Sequence, residues 1–159
     1  MGLRELLLPS PDRDAKLRWA IKENDMKIFV AVLLSAAIPL AASNVVTDWN
    51  TIASTAIVKN GGKSAGGSAI WFAYTSLAVY DAVNAITGQY RTFYHRGTGS
   101  PTASVDAAAA AAAHRVLLNY FPAQQSDLDA RLAASLSNIS ADSAAKDAGM
   151  SVGEAAAAA

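Results

Sequence analysis

Cysteine is absent from all 159 residues. Such a chain forms no disulfide, offers no thiolate to a metal, has no cysteine nucleophile and carries no lipoprotein anchor. The absence also suits an oxidising compartment. Charge of one sign is lacking as well, since thirteen Lys and Arg balance thirteen Asp and Glu. No basic stripe is available to neutralise a phosphate backbone, so nucleic acid is excluded as a partner. Histidine occurs only twice, at His95 and His114 in unrelated settings, and the carboxylates are scattered. That gives no metal-ligand spacing. Period-two alternation, the mark of a strand, is missing too.

What is present is apolar. Hydrophobic residues make up 52% of the chain, which argues against disorder throughout. Much of that share is alanine. Alanine favours helix but buries little surface, so the core expected here is thin for its length. The length allows one domain at most.

The chain divides into three stretches. Residues 1–25 are a charged extension of mixed sign, with Arg4, Arg13, Lys16 and Arg18 against Glu5, Asp12, Asp14, Glu23 and Asp25. Residues 26–43 read as a signal peptide: Met26-Lys27, an apolar run from Ile28, the helix breaker Pro39, and small residues up to Ala42-Ser43. The alternative is a short membrane anchor through residues 28–42, but the run is shorter than the ~20 residues that span a bilayer. Translation starting at Met26 would account for the odd front end. Residues 44–159 are then the exported body.

In that body the spacing predicts five helices, an all-α and incomplete helical bundle. Trp49, Ile52, Ala53, Ala56 and Ile57 share a face of a first helix over about 48–59, capped by Thr47 or Asp48 and ended by Asn60-Gly61-Gly62. A second, over 68–87, is apolar nearly all round and belongs in the middle of a bundle. Gly88 stops it. A third, over 103–120, carries seven consecutive alanines, Ala107 to Ala113, that let a neighbour approach closely. Pro122 opens a fourth, over 122–137, with a stripe of Leu128, Leu132, Leu136 and Ile139. Ser140 caps a fifth, which runs through Gly149, Val152 and Gly153 to the last alanines. No turn signal follows Ala159, so the chain reads as a fragment.

Candidate chemistry is sparse. Asp81 and Asn84 lie three apart on one face of the second helix. They could orient a basic residue of a site, or form a structural hydrogen-bond pair tying two helices; the structural role is the expected one, because buried polar side chains are generally satisfied that way. His95-Arg96 and His114-Arg115 offer the right chemistry for an oxyanion, a planar donor fork beside an imidazole. His114 is expected to contact the bundle or solvent, and His95 to sit in a loop beside a groove. Only Arg91 and Arg96 are near enough in sequence to converge on one loop. Gly61-Gly62-Lys63-Ser64 lacks the first glycine of a phosphate loop and a preceding strand, so it reads as a turn. No Gly-x-Ser-x-Gly elbow occurs. Asn138-Ile139-Ser140 fits a glycosylation acceptor.

Three segments in order, Trp49-Asn50, then Ser76-Leu77-Ala78-Val79-Tyr80-Asp81-Ala82-Val83-Asn84-Ala85-Ile86, then Ala111-Ala112-Ala113-His114-Arg115-Val116-Leu117 closing on Tyr120-Phe121-Pro122, give the sequence its wording. It resembles the N-terminal helical region of the vanadium-dependent haloperoxidases, relatives of the type 2 phosphatidic acid phosphatases. The likeness covers roughly 48–159. It departs from the pattern at Gly61 to Ser68, where many members place prolines and an arginine. The resemblance implies vanadate as the cofactor of a full-length parent, and halide oxidation or phosphate ester hydrolysis as its chemistry. The family's site consists of a Lys/Arg-Pro motif, a Ser-Gly-His motif and a Ser-Arg followed by a distal His. None appears here, so no catalytic, cofactor or metal residue is carried over, and the chain alone is expected to be inactive. The implied partner is the missing C-terminal half of the helical domain. The rival reading is a small self-contained exported protein that binds a partner or membrane.

Overall fold

A computed structural model describes residues 44–159. The extension over 1–25 and the leader over 26–43 lie outside the described residues. The expected five-helix, all-α architecture is what the structure has: α1 Val45–Ser54, α2 Ala65–Thr87, α3 Val105–Tyr120, α4 Gln125–Asn138 and α5 Ser143–Ala158, with no strand among the described residues.

Helix starts are set by polar side chains, often a few residues from where periodicity alone puts them. Asn44, not Thr47 or Asp48, caps α1 by accepting the Val46 N–H at 2.9 Å. Asp48 instead sits in the first turn, where the helix dipole favours a carboxylate. Ser64 starts α2 earlier than expected, accepting from Gly67 N–H; Ser104 caps α3 by accepting from Ala107 N–H, close to the expected start. Asp142, rather than Ser140, caps α5 through the Ala145 N–H at 2.7 Å. For α2 and α5 the strongly apolar pattern begins only after the first turn, so it marks the buried face and not the cap.

α1 does not end cleanly. It widens into a π-helical turn, Thr55–Asn60. The Thr51 and Thr55 hydroxyls donate to carbonyls four residues back, a habit that loosens helices at such points. The Gln124 amide bonds the Ala56 carbonyl and accepts from Asn60, which ties the turn to the short 3-10 stretch Pro122–Gln124 ahead of α4. Gly62 then leaves with a positive φ of 62°, and Gly88 ends α2 at 61°.

The centre of the bundle is α3, not α2. All seven alanines from Ala107 to Ala113 are buried, and α1, α2, α4 and α5 all pack on this helix. Short side chains on every face allow neighbours to close in from all sides. α5 comes nearest: Gly149 and Gly153 lie against the Ser104 and Ala108 carbonyl oxygens, and a Cβ at either would collide with them. By contrast α2, although apolar nearly all round, leaves Ile70, Tyr74, Leu77 and Tyr80 exposed. The expectation that α2 occupies the middle is therefore corrected. Bulk at the core is scarce, as composition implies. Trp49, Ile57, Leu117 and Leu128 are the largest fully buried side chains among the described residues. Trp49 satisfies its indole N–H on Ser135 Oγ at 3.1 Å.

A carboxylate strap and an aromatic–arginine face

Tyr80, Asp81 and Asn84 fall on the last turns of α2 and hold down the loop that follows. The Asp81 carboxylate, only 2% exposed, accepts three successive backbone N–H groups. Phe93 donates to Oδ1 at 2.5 Å, and Tyr94 and His95 donate to Oδ2 at 2.8 and 2.7 Å. Asn84 accepts the Tyr90 N–H at 3.1 Å and donates to the Tyr80 carbonyl. The Tyr80 hydroxyl donates to the Arg91 carbonyl at 3.1 Å. Within the loop, the Thr92 hydroxyl donates to the His95 carbonyl. Asp81 and Asn84 are structural, as expected, but they tie a helix to a loop rather than one helix to another. Burial raises the Asp81 pKa, yet the backbone N–H groups of His95, Phe93 and Tyr94 and the charge of His95 outweigh it. The net effect holds the carboxyl below its ordinary value.

This strap fixes the backbone between Arg91 and Arg96. Both arginines line a cleft of about 620 Å³ with Leu77, Tyr80, Thr92 and Phe93. A second cleft, of about 630 Å³, opens beside it, bounded by α2, the loop, α3 and the end of α5. It shares Leu77 and Phe93 with the first and adds Tyr74, Tyr120 and Arg115. The rings on its wall are set against one another. Tyr74 and Tyr120 stack at 5.6 Å and 19°, and Trp71 meets Tyr120 at 4.6 Å.

The two histidines are not brought into a common site. His95 is half-buried with its ring turned toward Gly97, and it does not line the arginine cleft. His114 faces the bundle: its Nε2 pairs with Asp129 Oδ1 at 2.8 Å, and Trp49 meets it edge-on at 6.1 Å. It thus links α3 to α4 and α1. Lys63 lies 5.7 Å over the Trp71 ring and Ser64 caps α2, so Gly61 to Ser64 acts as a turn. Among the described residues no group of three or more His, Asp or Glu is placed to hold a metal, and no helix is long and apolar enough to cross a membrane. Comparison with protein-family models, curated proteins and solved structures found no match to this chain.

The arginine cleft and its aromatic margin were not evident in the sequence as a unit. Ile70, Tyr74 and Leu77 recur at helical spacing, a pattern that reads equally as core. The aromatic-rich loop over 90–96 was the available sign that part of this stripe stays at the surface.

Proposed function

We propose that residues 44–159 are the N-terminal helical scaffold of an exported enzyme resembling the vanadium-dependent haloperoxidases and their acid-phosphatase relatives, and that they perform neither reaction alone. The supporting observation is the strap. The Tyr80-Asp81-Ala82-Val83-Asn84 run carries the resemblance, and each of its polar members has a definite task in holding the loop over 90–95. A scaffold needs such a device to present a fixed surface. Vanadate chemistry would require several cations and a histidine converging on the oxyanion. In this reading those groups come from the C-terminal half of the domain, and residues 26–43 direct export.

Reading the gene beyond the codon for Ala159 tests the proposal. A continuing frame with a Ser-Gly-His motif is the expected result, and a stop codon overturns it. A second test uses the purified chain with peroxide, bromide and orthovanadate, and separately with an aryl phosphate. Neither bromination nor hydrolysis above the buffer rate is expected. Turnover in either assay contradicts the scaffold role. The uncovered aromatic face also favours a second reading, a self-contained exported helical protein that docks onto a partner.

A further inference from the structure

Six of the ten large apolar side chains exposed among the described residues line two adjoining clefts: Tyr74, Leu77, Tyr80, Phe93, Tyr94 and Tyr120. Such clustering is not what scattered surface hydrophobics look like. The composition, tyrosine and phenylalanine with arginine, is that of interface hot spots. Arg91, Arg96 and Arg115 lie on the same face, and among the described residues no carboxylate pairs with them. Asp81 is the one acidic residue lining either cleft, and three backbone N–H groups already occupy its oxygens.

We infer that this face is a docking surface for an acidic amphipathic helix. Its aliphatic side chains would fill the two clefts and its flanking carboxylates would meet Arg91, Arg96 and Arg115. Three features favour that occupant. The second cleft is a groove walled by helices, with small residues such as Ala78 and Ala157 on its lining, and a helix seats its ridge in such a groove. The Asp81 oxygens are already occupied, so a carboxylate-bearing partner gains from arginines that no carboxylate side chain pairs with among the described residues. The surface is also preorganised, because the Asp81 strap and the Tyr74–Tyr120 stack fix it before binding. A second copy suits the face poorly, since a two-fold contact would set arginine against arginine. A flat anionic bilayer would meet the arginines but not the alanines between the helices. The occupant is a helix of a separate partner polypeptide, whatever the enzyme family.

The test uses the full chain and two labelled synthetic helical peptides. Both carry leucine at i, i+4, i+7 and i+11; one has glutamate at the flanking positions and the other has lysine. Fluorescence anisotropy should show the glutamate peptide binding at least tenfold more tightly than the lysine peptide. The Arg91→Gln/Arg96→Gln double variant should bring the two within about threefold. Leu77→Asp should weaken the glutamate peptide more than tenfold. These positions are exposed, and unchanged helical circular dichroism would verify that each variant folds. Several results overturn the inference: no binding of either peptide, equal binding of both, or binding indifferent to Leu77→Asp. So do two others, adsorption to phosphatidylglycerol vesicles in preference to the peptide, and dimerisation of the chain that Leu77→Asp abolishes.

Discussion

Asp81 is the residue on which the surface depends. A carboxylate that accepts three backbone N–H groups is a strong local anchor, because hydrogen bonds to a charged group are worth more than neutral ones. Replacement by asparagine keeps the shape but turns one acceptor into a donor facing those N–H groups. The expected cost at pH 7 is about 2–3 kcal/mol, the scale of losing charge-assisted bonds at a buried site. The pH dependence has a definite sign. The folded pKa lies below the unfolded one, so the stabilisation is complete above the unfolded value of about 3.9. It is lost as pH falls through that value and then through the lower folded one. Thermal melts of the native chain should therefore decline below about pH 4, and Asp81→Asn should flatten that limb. A native-like acid limb in the variant would show that Asp81 does not anchor the loop.

At the scale of elements, the bundle turns on the contact of α5 with α3. Gly149 and Gly153 bring backbone against backbone, with the carbonyls of Ser104 and Ala108 where a Cβ would be. Gly153→Val should destabilise by about 1–3 kcal/mol or more, the range for overpacking a tight contact. Gly66, in the first turn of α2, meets nothing within 4 Å of a built Cβ. Gly66→Ala should stabilise by about 0.4–1 kcal/mol through the unfolded chain. Urea titration of both variants checks the contrast, and equal effects would refute the packing account. The sequence displayed most of this layer. Helix number, the stops at Gly62 and Gly88 and the close approach at the alanine run all follow from local chemistry and periodicity; of the expected Leu128–Ile139 stripe, Leu128 and Leu132 meet the core, while Ile139 falls past the end of α4. Caps shifted, because Asn44, Ser64 and Asp142 precede the apolar pattern. The place of α2 was misread for a different reason. A stripe such as Ile70, Tyr74 and Leu77 looks the same in sequence whether it meets a neighbour or water, and only the three-dimensional packing around α3 decides between them. The strap was half legible: the polar pair stood out inside an apolar helix, but its partners are backbone groups, which leave no trace in side-chain identity.

Residues 44–159 form a thin-cored bundle in which the aromatic–arginine face stays exposed. Alanine supplies close packing at α3 but little buried area, so the few large core residues carry much of the stability. Residues 44–159 are expected to be helical yet weakly cooperative in melting. The aromatic–arginine face, not general looseness, is expected to be the place where apolar probes attach. Binding of anilinonaphthalene sulfonate to the full chain tests this most directly, since the dye pairs an aromatic body with an anion that suits Arg91 and Arg96. A fluorescence enhancement is expected that falls more than fivefold in a Leu77→Asp/Arg96→Gln variant whose helical circular dichroism is unchanged. An enhancement that survives those substitutions, or a sharply cooperative chain that binds no dye at all, would contradict it.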